Sequence, residues 1–201
     1  MLEAFKKPIL EEESGLIAGR DFHLANCPER VMPGRLLQNI EKYNRVIGGI
    51  TAVCAEKAKD LYSEIVQGEI DTTSCLTAEI VKTTENAYRD VQIAFANEIA
   101  LLCQSIEVNV YEVRRLVNKC PFRDMHIPGA GVGGHCIPKD SWLLAYGGGS
   151  RFEPRLLATA REINDSMPLE MGKLVEEVFK SQRIKIWKKK EPRMPGAPEW
   201  C

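Results

Sequence analysis

At the start of the chain, apolar Leu2, Phe5, Ile9 and Leu10 recur among charged residues. That spacing predicts a helix over about Leu2 to Ile17, ended by Gly15 and Gly19. Phe22-His23-Leu24-Ala25 reads as a short strand entering the turn Asn26-Cys27-Pro28, and Arg45-Val46-Ile47-Gly48-Gly49 as a second strand closed by glycines. A helix, a strand, a loop and a strand are too few for a complete sheet of about five strands. Thr51 is a good N-cap for a helix running to Gln67, with Gly68 as its stop and Val53, Ala58, Leu61, Tyr62 and Ile65 as its apolar stripe.

A long helix follows, from about Thr77 to Glu107. Its apolar positions Ile80, Ala87, Tyr88, Val91, Ala94, Phe95, Leu102 and Ile106 recur at spacings of three and four. It would span about 45 Å, a length suited to the spine of a domain or a subunit interface. Asn109 with Glu112 predicts a capping box for a shorter helix to about Val117. Phe122 to Gly134 is a loop rich in proline and glycine. A helical turn is expected after Cys136, a hinge at Gly147-Gly148-Gly149, and two helical segments, about Arg155–Ser166 and Leu169–Ser181, separated or kinked at Pro168.

The chain has 201 residues, 44% hydrophobic and 27% charged, which excludes low-complexity disorder and collagen. A net charge of −1 gives no general reason to expect nucleic acid or a membrane surface as partner. No apolar run approaches the roughly 18 residues of a membrane span. The opening MLEAFKKPILEEE has no signal-peptide core, so a cytoplasmic location is expected. Seven scattered cysteines without a CxxC argue against a disulfide framework. The charge is uneven. From Lys180 to Cys201 there are seven basic and two acidic side chains among three prolines, which predicts a basic, disordered tail.

Three segments could carry chemistry. Cys136 follows a glycine-rich turn, Gly133-Gly134-His135, and is a candidate nucleophile with Lys139 and Asp140 one turn on. A buried structural cysteine is the simpler reading of that thiol alone. Lys82 and Asn86, four apart on the long helix, could both donate to an oxyanion, or could lie on a solvated face. Glu29, in the loop Cys27-Pro28-Glu29-Arg30, suits a general base or an exposed turn. Cys120, His126, His135 and Cys136 have the spacing C-x5-H-x8-H-C, which fits no compact zinc pattern, so no metal site is expected.

In this order, the segments Leu24–Gly34, Glu79–Glu98 and Gly131–Asp140 resemble the UDP-glucose/GDP-mannose dehydrogenase family. The forms PERVMPG and GVGGHC resemble its UDP-N-acetylmannosamine dehydrogenase branch more than its UDP-glucose branch. The resemblance covers about Leu10 to Glu177. It implies a mainly α fold: a helical central dimerisation domain, like the C-terminal domain of 6-phosphogluconate dehydrogenase, with a short α/β remnant of a Rossmann domain in front. The expected organisation is a Rossmann remnant over 1–50, a helical domain over 51–150, a helical linker over 151–179 and the basic tail over 180–201.

By the resemblance, a sugar C6 alcohol is oxidised to the carboxylate with NAD, and Cys136 is the nucleophile that forms a thiohemiacetal and then a thioester. Glu29 activates water, Lys82 and Asn86 hold the oxyanion, and Asp140 supports acid–base work. Arg30, Val31, Gly133, Gly134 and Arg123 contact the UDP-sugar, Arg123 across a dimer, and Lys139 reaches cofactor phosphate. A homodimer through the helix 77–107 is implied. The family's phosphate-binding glycine turn after a first strand is missing here, and the sequence after Val178 resembles none of the family's C-terminal nucleotide-binding domain. The expectation is therefore a central fragment, inactive alone. The alternative is a non-catalytic helical dimerisation or interaction protein.

Overall fold

The computed structural model describes residues 2–31 and 34–182. Beyond Gln182, the predicted basic tail lies outside the described residues. A π-helical turn, Leu2–Lys6, leads into α1, Lys7–Ser14. Gly15, at φ 68°, ends α1 with its amide on the Glu11 carbonyl at 2.9 Å.

Three strands form the sheet: β1, Ala25–Asn26; β2, Arg45–Gly49; and β3, Ile70–Ser74. Their order is β1-β2-β3. β1 runs antiparallel to β2 with Ala25 opposite Gly49, and β2 runs parallel to β3 from Arg45 opposite Ile70 to Gly49 opposite Ser74. Two helices connect them: α2, Leu36–Lys42, and α3, Ala52–Ser63. Thr51 caps α3 as predicted, accepting from the Cys54 amide at 3.1 Å. The strand expected at Phe22–Ala25 is shorter and displaced, α2 lies within the expected loop, and α3 stops at Ser63 rather than Gln67. β3 was not expected, because Ile70-Asp71-Thr72-Thr73-Ser74 shows no alternation of apolar and polar residues. Its place depends on Gly48. A Cβ there would lie 2.5 Å from the Ser74 carbonyl oxygen and 2.7 Å from the Cys75 Cα.

Ser74 then caps the spine helix α4, Cys75–Ser105, accepting from the Thr77 amide at 3.1 Å. Asn109 caps α5, Val110–Val117, through the Tyr111 amide, while Glu112 pairs with Arg115. α6, Cys136–Gly148, and α7, Arg155–Ser181, both pack on α4. The expected turn after Cys136 is thus a full helix that runs through Gly147 and Gly148, and it breaks only at Gly149, φ 55°. The two expected segments on either side of Pro168 form one continuous helix. Pro168 has no amide for the Asn164 carbonyl, and the loop residue Gly131 lies over that oxygen, where a Cβ would come within 2.1 Å.

The buried face of α4 is small and polar: Ala78, Ala87, Asp90, Ala94, Asn97 and Cys103. The larger apolar residues of the predicted stripe point outward. Ile80 is 47% exposed, Phe95 54%, Leu102 54% and Ile106 59%, and Tyr88 is exposed as well.

Small side chains let three helices approach closely, and they enclose a polar network. Arg161 Nη1 donates to Asp90 Oδ1 at 2.7 Å, and Arg161 also pairs with Asp165. Asn164 Nδ2 donates to the same Asp90 carboxylate at 2.8 Å and to the Asp90 carbonyl at 3.0 Å. Ser141 Oγ donates to Asp90 Oδ2 at 3.2 Å. Asn97 Nδ2 donates to Asn164 Oδ1 at 2.9 Å. Asp90, Asn97, Ser141, Arg161 and Asn164 are all buried. A charge buried this far from water is tolerated only when paired and hydrogen-bonded. Asp90→Ala is therefore expected to cost about 3 kcal/mol, because it leaves Arg161 buried without its inner partner. Urea unfolding followed by circular dichroism measures this, and a loss below about 1 kcal/mol contradicts it.

Candidate active site

The loop from Phe122 to His135 is tied down before it reaches Cys136. Asn118, just after α5, brackets Met125 with two bonds: Nδ2 to the Met125 carbonyl at 3.1 Å, and Oδ1 from its amide at 2.8 Å. The Gly129 amide donates to Asn97 Oδ1 at 2.9 Å, which links the loop to the buried network. Gly131, at φ 87°, then fits under α7 against Asn164. Cys136 emerges as the first residue of α6, its thiol exposed at the helix end where unpaired backbone amides lie.

Asp140, one turn along α6, is buried. Its Oδ2 accepts from Asn86 Nδ2 of α4 at 2.6 Å, and Lys139 Nζ stands 3.8 Å from its Oδ1. Lys82 lies one turn before Asn86 on α4 and lines a cavity of about 200 Å³ with Asn26 and Pro28. Glu29 follows Pro28. The structure thus joins Asn86 of α4 to Asp140 of α6, with Cys136 four residues before Asp140, and places Lys82 beside Pro28, which precedes Glu29. The Glu29 carboxylate turns back on its own loop, with Oε1 accepting from the amides of Arg30 at 2.6 Å and Val31 at 2.7 Å. Arg45, the first residue of β2, adds Nη1 at 3.3 Å from the same oxygen, and its side chain is only 3% exposed. Sequence reading missed Arg45, since an arginine opening an apolar strand reads as a solvated end.

Arg30 does not project freely: it pairs with Glu85 and with the Asn44 carbonyl. Gly133 and Gly134 are exposed with open space around them. Arg123 donates to the adjacent Phe122 carbonyl at 3.3 Å, and among the described residues no hydrogen bond joins it to the other candidates. Behind the Glu29 loop, burial pushes the Cys27 thiol up, and burial likewise raises its hydrogen-bond partner Tyr62. A second cavity of about 890 Å³, lined by Tyr88, Val91, Leu144, Phe152 and Leu156, contains none of the candidate residues.

A dinucleotide needs a glycine turn between a strand and a helix, open to its pyrophosphate. The passage from β2 to α3 holds Gly48 and Gly49 but is closed by its own backbone: a Cβ on Gly49 would lie 2.3 Å from the Ala55 nitrogen. Gly129-Ala130-Gly131-Val132-Gly133-Gly134 does spell G-x-G-x-x-G before α6, yet it follows no strand. The described residues therefore do not fit the cofactor's pyrophosphate. Among them, no group of three or more His, Cys, Asp or Glu is placed to hold a metal ion, and no helix is long and apolar enough to cross a membrane.

Two substitutions test the loop's seating. Gly131→Ala should destabilise the protein by about 1–3 kcal/mol, through both its positive φ and the contact with Asn164. Gly133→Ala, into open space at an ordinary φ, should stay within about 0.5 kcal/mol. Thermal unfolding of the two variants separates these outcomes. Equal losses would show that the loop is not held against α7.

Residues 2–66 match the NAD binding domain of the UDP-glucose/GDP-mannose dehydrogenase family, and residues 76–166 match its central domain. A UDP-N-acetyl-D-mannosamine dehydrogenase of Campylobacter jejuni is 46% identical over 148 residues, which cover 74% of this chain and 36% of that protein. The UDP-D-ManNAc dehydrogenase structure from Pyrococcus horikoshii superposes with a TM-score of 0.83 at 44% identity, covering 89% of this chain and 42% of that one. An NDP-N-acetyl-D-galactosaminuronic acid dehydrogenase structure from Methanosarcina mazei gives a TM-score of 0.82 at 42% identity, covering 90% and 41%. The chain spans well under half the length of each of these relatives. A mainly helical fold with a small sheet in front agrees with these matches: the chain belongs to the UDP-glucose/GDP-mannose dehydrogenase family.

Proposed function

We propose that this chain carries the carbon-handling half of an NAD-dependent oxidation of a UDP-sugar C6 alcohol to a uronic acid. The observation that supports this best is the 2.6 Å bond from Asn86 to Asp140, which sets α6, and with it Cys136, against the helix that carries Lys82. In this reading the Cys136 thiol adds to the C6 aldehyde. A sulfur–carbon bond forms, and the carbonyl oxygen becomes the alcohol of a thiohemiacetal. Lys82 and the Asn86 amide stabilise that oxygen while it is anionic. Asp140 holds Asn86 in place and exchanges protons at the same oxygen, with Lys139 balancing its charge. At the thioester stage, Glu29 takes a proton from the attacking water, the sulfur–carbon bond breaks, and Cys136 leaves as its thiolate. Gly133 and Gly134 let the sugar approach the backbone, Val31 and Arg123 contact the nucleotide sugar, and Arg123 does so from a second copy.

Both oxidising steps require NAD, and the described residues do not hold its pyrophosphate. The chain alone is therefore expected to capture an aldehyde without turning over the alcohol. Isothermal titration should show no NAD binding in the low-micromolar range, and tight binding would overturn this part of the reading. Cys136 should also alkylate with iodoacetamide faster than exposed Cys120, and far faster than buried Cys54, Cys75 and Cys103. Equal rates at Cys136 and Cys120 would remove the nucleophile assignment.

A second reading, dimerisation, is favoured by the outward face of α4. Ile80, Tyr88, Phe95, Leu102 and Ile106 together make an apolar stripe without cover in one copy. Sedimentation should give a dimer for the native chain and a monomer for Phe95→Glu with Leu102→Glu. A well-folded native monomer would contradict it.

A further inference from the structure

Among the described residues, one ion pair joins the loop that carries Glu29 to α4. Arg30 Nη2 lies 2.5 Å from Glu85 Oε1, and Nη1 donates to the Asn44 carbonyl at 2.9 Å. Asn44 stands immediately before β2, and its Oδ1 accepts from the Glu69 amide ahead of β3 at 3.0 Å. The Arg30 guanidinium thus ties the loop both to the residue before the sheet and to the spine helix, in addition to the Arg45–Glu29 contact at the start of β2. Glu85 lies three residues after Lys82 and immediately before Asn86 on α4, the two residues read as oxyanion donors. The Arg30 amide in turn holds Glu29 Oε1 at 2.6 Å, with the Val31 amide beside it at 2.7 Å. Fixing the Arg30 side chain therefore fixes the peptide that aims the carboxylate.

From this geometry we propose that Arg30 and Glu85 form a positioning latch, which holds the Glu29 carboxylate in register with Lys82 and Asn86. The inference rests on the roles given above to Glu29, Lys82 and Asn86, and it assigns Glu85 a part that nothing in the sequence signalled. Neither latch residue touches the reacting carbon; both act through the loop. The pair is partly open to solvent, with the Arg30 side chain 21% and the Glu85 side chain 40% exposed. A groove of about 430 Å³, lined by Arg30, Lys42, Tyr43, Asn44 and Glu85, opens over it. The latch is therefore modest in strength and sensitive to salt.

Amide hydrogen exchange on the full chain reads the latch directly. Glu85→Gln should speed exchange at the Arg30 and Val31 amides about two- to fivefold, the range for a half-exposed ion pair, and leave the β2–β3 amides unchanged. Arg30→Glu alone should do the same, and the swapped pair Arg30→Glu with Glu85→Arg should restore slow exchange. Unchanged exchange in Glu85→Gln, or no recovery in the swapped pair, would overturn the latch. Exchange behaving as stated while a UDP-sugar C6 aldehyde fails to protect Cys136 from iodoacetamide would support the latch and count against the dehydrogenase reading instead, so the two failures are distinct.

Discussion

The ion pair between Asp90 and Arg161 is the constraint on which the rest of the structure depends. Both side chains are essentially out of water, at 0% and 2% exposed. Two charges in that setting are stable only if nearly every lone pair and proton meets a partner, and the partners come from three helices at once. Asp90 belongs to α4, Arg161 and Asn164 to α7, and Ser141 to α6. Satisfying one carboxylate therefore fixes the rotation of α6 and α7 about the spine. The register of α6 in turn decides where Cys136 and Asp140 lie. The same network reaches the glycine loop through Asn97, so the approach to the thiol is set by a bond at its base.

The geometry of the candidate site is thus a consequence of buried polar packing rather than of a large hydrophobic core. α4 keeps small residues toward its neighbours and large apolar ones toward the outside. An inward face of alanines and asparagines allows helices close enough for side chains to share hydrogen bonds. The outward face has no cover in a single copy, which is why a second copy is part of the functional proposal. Arg45 repeats the principle on a smaller scale in front of the spine. It is a buried cation that stays paired by keeping the Glu29 loop folded over it.

Local signals in the sequence were legible where local forces decide. The caps at Thr51 and Asn109, the stop at Gly15 and the length of α4 needed only neighbouring residues. Cys136, Lys82, Asn86 and Glu29 stood out through three motifs in order, and Asn86 does meet Asp140. What periodicity could not give was direction: the stripe of Ile80, Phe95 and Leu102 has the right spacing but faces outward. β3 carries one strongly apolar residue in five and is placed by pairing with β2, which is not a local property. α2 has no side-chain cap to announce it. Pro168 suggested a break, yet the helix continues because the carbonyl it leaves unpaired lies where a glycine can pack against it. Asp90, Arg161, Asn97 and Asn164 are ordinary helix residues until three helices are brought together.

Cys136, as proposed, is a sugar-aldehyde nucleophile seated by this network even without a dinucleotide cradle. Competition at the thiol tests it most directly. A UDP-sugar carrying a C6 aldehyde is added to the full chain without NAD, and iodoacetamide labelling of each cysteine is followed by peptide mass spectrometry. The aldehyde should slow labelling of Cys136 in a saturable way and leave Cys120 unaffected. Equal labelling of Cys136 with and without the aldehyde would contradict it.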